Sequence, residues 1–173
     1  MDPATGECSG VFKIFNGNGK ECLPAGWNTS FFNCCDDSQG SFLLFKEYCT
    51  EENATAVQAV AAGRAHYIGD YCKKKITLIG CIQKAKMYCV FNSKFGRIIQ
   101  EQGRPQLKKF APDGNWGTPE APNCEGFTPE EFQMLDFSKI DLSELFGDLN
   151  PISQINVESK IENAVGGYID KIQ

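Results

Sequence analysis

Nine cysteines and one histidine are the residues of this 173-residue chain with the most chemistry to offer, and their spacing decides which chemistry it is. Zinc sites bring ligands in close pairs such as C-x-x-C or H-x-x-x-H. Cys8, Cys22, Cys34, Cys35, Cys49, Cys72, Cys81, Cys89 and Cys124 include no C-x-x-C, and His66 is the only histidine. The intervals from Cys72 to Cys81 to Cys89 suit neighbouring strands better than a tetrahedral knuckle. Reduced cytosolic proteins seldom carry so many cysteines, so disulfide staples are the expected chemistry and all nine are candidates for them. The odd count leaves at least one thiol free, paired with another chain, or parted from its partner. Eight cysteines already allow about 105 pairings, so spacing gives no connectivity. Cys34 and Cys35 should bond to different partners, because a bridge between sequence neighbours strains the peptide between them.

Catalysis would need a different set of residues. A Cys–His pair must use His66, which the sequence places at the end of an Ala-rich helix, and there is no Walker loop, G-x-G-x-x-G, G-x-S-x-G or H-E-x-x-H. Paired carboxylates occur at Asp36-Asp37, Glu51-Glu52 and Glu130-Glu131, the last two where helix starts favour negative charge. No catalytic residue, cofactor or metal ligand is expected. Asn28-Thr29-Ser30 and Asn53-Ala54-Thr55 match the N-glycosylation triplet, a short pattern that matters only in a eukaryotic source. Trp27 and Phe31-Phe32 are expected to pack around a bridge near Cys34-Cys35 rather than to form a contact patch.

Composition narrows the class. Hydrophobic residues make up 42% and aromatics 12%, enough for one core, and the net charge is −5 with basic residues scattered apart from Lys73-Lys74-Lys75. A nucleic-acid partner is not expected, because such proteins draw most of their affinity from a basic face. No run approaches the roughly 18 apolar residues of a membrane span, and Met1 to Glu7 has neither the basic nor the apolar part of an export signal. With so many cysteines, the expectation is an extracytoplasmic chain whose signal has been removed.

The elements that must position these residues read as an α+β fold: a small disulfide-stapled domain with short antiparallel strands, short helices, long tethered loops and a C-terminal amphipathic helix. Asn16-Gly17-Asn18-Gly19 is a hairpin cue, with strands Val11 to Phe15 and Glu21 to Leu23 on either side. Thr50 should cap a helix from Asn53 to about Ala65. Tyr71 to Ile79 and Cys81 to Phe91 are β-prone runs parted by Gly80, whose three cysteines could lock the sheet to the N-terminal segment. Ser93 should cap a helix through Gln102, and Leu107 to Asn123 is a loop that Cys124 must pin. Thr128-Pro129-Glu130-Glu131 is a capping box that starts a helix to about Leu135, with turns and a second short helix beyond it. After Asn150, Ile161, Val165, Tyr168, Ile169 and Ile172 form an apolar stripe at helical steps, a face that must cover either this protein's own core or a partner protein, and so a candidate partner-docking face.

Two segments resemble the TraN family of F-type bacterial conjugation systems. One runs from Cys89-Val90-Phe91-Asn92-Ser93-Lys94-Phe95-Gly96-Arg97-Ile98-Ile99-Gln100-Glu101-Gln102-Gly103-Arg104-Pro105-Gln106-Leu107 to Pro122-Asn123-Cys124-Glu125-Gly126-Phe127-Thr128-Pro129-Glu130-Glu131-Phe132, then Leu135 to Glu144, and is similar to the family's C-terminal signature. The other, Phe15-Asn16-Gly17 with Cys22 and Asn33-Cys34-Cys35-Asp36-Asp37-Ser38, is similar to its cysteine-rich entry. The family often has Phe-Cys-Cys-Phe where this chain has Tyr88-Cys89-Val90-Phe91, which would account for an odd cysteine. The resemblance implies a cysteine-rich base domain over residues 8–148, with a helical arm over 150–173 outside it. It further implies a structural and adhesion role in stabilising donor–recipient mating pairs, at or near the outer membrane of a Gram-negative donor. The expected partners are other conjugation proteins there, with a recipient outer-membrane protein met through parts of the full-length protein absent from this chain. The alternatives are an unrelated secreted disulfide-rich binding module and a small secreted hydrolase.

Overall fold

In the computed structural model the described residues are 12–36 and 49–146. Strands β1 (Asn18–Cys22), β2 (Ala65–Ile76) and β3 (Gly80–Val90) form an antiparallel sheet in the order β1-β3-β2. The two β-prone runs parted by Gly80 are therefore paired, and Ile76 faces Gly80 at the turn. Gly80 has φ of +94°, a conformation that suits glycine because a Cβ would crowd the backbone. Register shifts between Tyr67 and Gly69 and between Cys72 and Lys75 interrupt β2. Such irregularities, together with lysines, protect an edge strand from pairing with another chain.

Helix α1 (Glu51–Ala61) starts at Thr50, whose hydroxyl accepts from the Asn53 amide while the Asn53 side chain bonds back to the cap. Ala56 and Val57 of α1 pack on Cys22, and Asn53 Nδ2 donates to the Glu21 carbonyl at 3.1 Å. Asn53 is thus buried, and the triplet it begins is structural. Helix α2 (Lys94–Gly103) starts at Ser93, which accepts from the Gly96 amide, and buries Ile98, Ile99 and Gln100. The long loop contains a two-residue ribbon, β4 (Gly117–Thr118) with β5 (Ala121–Pro122). Helix α3 (Pro129–Gln133) follows the expected capping box, Thr128 Oγ1 accepting from Glu131 N at 3.2 Å and Glu131 Oε2 from Thr128 N at 2.9 Å.

Four bridges join Cys22 to Cys35, Cys34 to Cys49, Cys72 to Cys81 and Cys89 to Cys124. The adjacent Cys34 and Cys35 go to different partners, and Cys124 pins the long loop to β3. The fold is a small disulfide-stapled α+β domain. The chain divides into two units after Ile140, and of the second only 141–146, with helix α4 (Ser143–Phe146), is described. Cys8 and the stripe of Ile161, Val165, Tyr168, Ile169 and Ile172 lie outside the described residues, as does the expected C-terminal helix.

The structure corrects three expectations about the backbone elements and bridges. The Asn-Gly hairpin does not form: β1 begins at Asn18 and pairs with β3, while Ile14 makes an isolated antiparallel bridge to Phe127. Asn16 supplies a side-chain acceptor to Gly126 N at 3.0 Å rather than a turn, so five registered pairs and a disulfide outweigh a local preference. Helix α1 stops at Ala61, with Gly63 in the left-handed region just past it, so His66 lies on β2 and not at a helix end. Finally, Cys72, Cys81 and Cys89 do not lock the sheet to the N-terminal segment. Two of them staple the β2–β3 hairpin to itself and the third holds the 107–123 loop.

Candidate functional site

A single buried arginine organises the long loop. Arg104 follows α2 directly and is 0% exposed. Its Nε donates to Gln100 Oε1 at 2.8 Å, Nη1 to the carbonyls of Gly114 and Asn115 at 2.9 and 3.2 Å, and Nη2 to the Glu125 carbonyl at 2.7 Å. The guanidinium lies 3.9 Å from the Trp116 ring and 4.5 Å from that of Phe110, both attractive for a cation. Burial lowers its pKa to about 10, against the opposing pull of Glu125, so the group stays charged at neutral pH. Irregular backbone cannot satisfy its own carbonyls, and Arg104 does this for three of them with the rigid fork that lysine lacks. Sequence reading missed this residue, because a lone arginine before a proline carries no pattern.

Trp116 also stacks on His66, with ring centroids 3.9 Å apart and planes 23° apart. His66 Nδ1 lies 2.8 Å from Glu101 Oε1, and Glu101 in turn pairs with Arg97 at 2.6 Å. The hydrolase reading required a histidine beside a carboxylate, and this pair is the part of it that the fold contains. All eight described cysteines are in bridges, and among the described residues no group of three or more His, Cys, Asp or Glu could hold a metal. Two surface cavities of about 350 Å³ are lined by Lys13, Phe15, Asn16, Phe91, Asn92, Ser93 and Gly96, and by Gln106 to Lys109 with Glu131 and Met134, so His66 lines neither.

A second charged cluster ties the N-terminal segment to the loop and α3. Glu125 pairs with Lys13 and with Lys109 at 3.0 Å, and Lys109 reaches Glu131 at 3.4 Å. Burial alone would raise the Glu125 pKa, but hydrogen bonds from Lys13 and Lys109 and their charges together hold it below the usual carboxylate value.

The surface facing solvent at the other end of the sheet is unlike the rest. Leu78 is 97% and Ile79 73% exposed at the β2–β3 turn, just beyond the Cys72–Cys81 bridge. Beside it, the turn at Trp27–Thr29 presents Trp27, 66% exposed, and Phe31, 69% exposed, with rings 6.0 Å apart edge to face. These rings do not pack around a bridge, which corrects the expectation for them. Ser30 and Phe31 have φ of +48° and +66°, positions where non-glycine residues are strained by about 1–3 kcal/mol each. Gln83, buried, holds this turn in place by accepting from Asn28 N at 3.1 Å and donating to the Pro24 carbonyl at 2.9 Å.

Comparison with known proteins places these features in a family. Residues 2–128 match a family model described as F-type Type IV secretion system, TraN. Among curated proteins, the chain is similar to "Mating pair stabilization protein TraN" of Escherichia coli (strain K12), with 28% identity over 137 residues. That alignment covers 79% of this chain and 22% of the relative, so the chain spans about a fifth of the relative's length. No solved structure matches. On the family match, which covers well over half of its residues, the chain belongs to the TraN family of F-type type IV secretion systems.

Proposed function

We propose that this chain is a framework segment of a mating-pair stabilisation protein, working in the envelope of a conjugative donor as a structural component and not as the part that reads the recipient. The observation that supports a framework is the way irregular segments are fixed. The Cys22–Cys35 and Cys89–Cys124 bridges tie irregular segments to β1 and β3, Cys34–Cys49 and Cys72–Cys81 staple the chain beside and within the sheet, and the Arg104 clamp fixes the long loop. Disulfides persist in oxidising compartments, which supports an extracytoplasmic location, and the family's place in a secretion system of the envelope supports one near the outer membrane. The base domain is taken as residues 8–148. The arm, residues 150–173, offers the stripe of Ile161, Val165, Tyr168, Ile169 and Ile172 to another donor-side conjugation protein. Recipient outer-membrane proteins would be met by parts of the full-length protein outside this chain.

The test is affinity capture with the purified, oxidised chain on donor envelopes and on recipient cells. Capture of a conjugation protein from donors carrying the transfer genes, lost with Val165→Glu plus Ile169→Glu, supports the framework reading. Tight, protease-sensitive binding to recipient cells would overturn it and make this chain a receptor reader.

A further inference from the structure

We propose that the β2–β3 hairpin end is a lipid-docking point that inserts its apolar turn into an anionic phospholipid bilayer. The charge distribution is the first observation. From Tyr71 to Val90 there are five lysines, Lys73, Lys74, Lys75, Lys84 and Lys86, and no acidic residue. This 20-residue stretch carries +5 in a chain of net −5, which leaves −10 for the remainder. Lys73 is engaged by the buried Glu21 and Lys74 reaches Asn28 Oδ1 at 3.3 Å, while Lys74, Lys75 and Lys84 are all exposed.

The second observation is what those lysines surround. Ile76, Leu78 and Ile79 project at the tip, and the Cys72–Cys81 bridge fixes the strands just behind them. The Trp27–Phe31 turn is anchored to the rung where Lys74 faces Gln83, two rungs short of the Ile76–Gly80 pair. Two rungs of a strand are about 7 Å. Apolar groups of interfacial proteins sink about 5–10 Å into the boundary between headgroups and acyl chains. Insertion of the tip to that depth brings Trp27 and Phe31 to headgroup level, where aromatic rings are enriched, and places the lysines among phosphates. Each lysine there is worth roughly a five-fold gain in binding. A protein partner fits less well because lysine is depleted in protein interfaces, and a second copy would bring a like-charged hairpin to this one.

The inference does not depend on the framework reading and can fail separately from it. Sedimentation of the full oxidised chain with vesicles of phosphatidylglycerol and phosphatidylcholine should show binding at least ten-fold stronger than to phosphatidylcholine alone, weakened by salt. Trp27 emission should shift to the blue on binding, and Trp27→Phe should remove that shift. Leu78→Glu with Ile79→Glu replaces two exposed residues, so its circular dichroism and melting temperature should match the wild type while vesicle binding falls more than ten-fold. The proposal is overturned if the wild type ignores anionic vesicles, if neutral vesicles bind it equally well, or if the double variant binds unchanged. Concentration-dependent dimers abolished by the double variant would also overturn it, in favour of a second copy of this chain as the occupant.

Discussion

The guanidinium of Arg104 lies 3.9 Å from the indole of Trp116, at the junction where the end of α2 meets the 107–123 loop. The same arginine bonds the carbonyls of Gly114, Asn115 and Glu125, so one side chain sets the path of the chain on both sides of the β4–β5 ribbon. Among the described residues no buried side-chain nitrogen or oxygen lacks a partner, which shows how completely this centre is satisfied.

Replacing Arg104 should therefore cost more than replacing any lysine on the surface. Arg104→Met leaves the carbonyls of Gly114 and Glu125 without their donor, each costing about 1–3 kcal/mol if it stays buried, while that of Asn115 keeps Asn123 Nδ2 at 3.0 Å. Arg104→Lys keeps the charge but not the planar fork, and should recover only part of the loss. Denaturant unfolding would measure both. Equal stability of Arg104→Met and wild type would mean that the loop does not depend on this clamp.

The bridges should differ in both worth and reactivity. Cys89–Cys124 spans 35 residues and Cys72–Cys81 spans 9, so in the chain-entropy view the former contributes about 1 kcal/mol more. Paired Cys→Ala variants should reproduce that order in melting temperature. Cys72 and Cys81 are exposed whereas Cys89 is buried, so limited reductant followed by alkylation and mass analysis should label the hairpin pair first.

The capping box at α3 should respond to single substitutions. Thr128→Ala removes an acceptor for the Glu131 amide and should cost about 1 kcal/mol. Glu131→Ala should cost less, although its partner Lys109 is also bonded to Glu125. Unchanged thermal stability of Thr128→Ala would remove the cap from the account.

Acid should loosen the Glu125 cluster. Because its folded pKa is lowered from 4.5, Glu125 contributes stability that is fully present above that value and lost as pH falls through the lower folded one. As pH falls below about 4.5 the wild-type melting temperature should fall more steeply than that of Glu125→Gln. Parallel curves would mean that Lys13 and Lys109 do not hold this carboxylate.

What the sequence determined by itself was local or compositional. Thr50, Ser93 and Thr128 were legible as caps because a cap is set by one side chain and amides two or three residues away. Cysteine content announced staples, and the strain of a bridge between neighbours separated Cys34 from Cys35. The β2–β3 hairpin followed from two β-prone runs about one glycine, which is also a local relationship. Only the tertiary structure decided the rest, because the deciding partners lie far apart along the chain. The Asn-Gly signal at 16–19 lost to pairing with β3 about 70 residues away, and Ile14 found Phe127. Arg104 had no visible role until its backbone partners at 114, 115 and 125 were brought around it. Trp27 and Phe31 look like core residues by type, yet Gln83 anchors the turn beneath them and leaves both rings facing solvent, and a contact made across 55 residues leaves no periodic trace in a sequence.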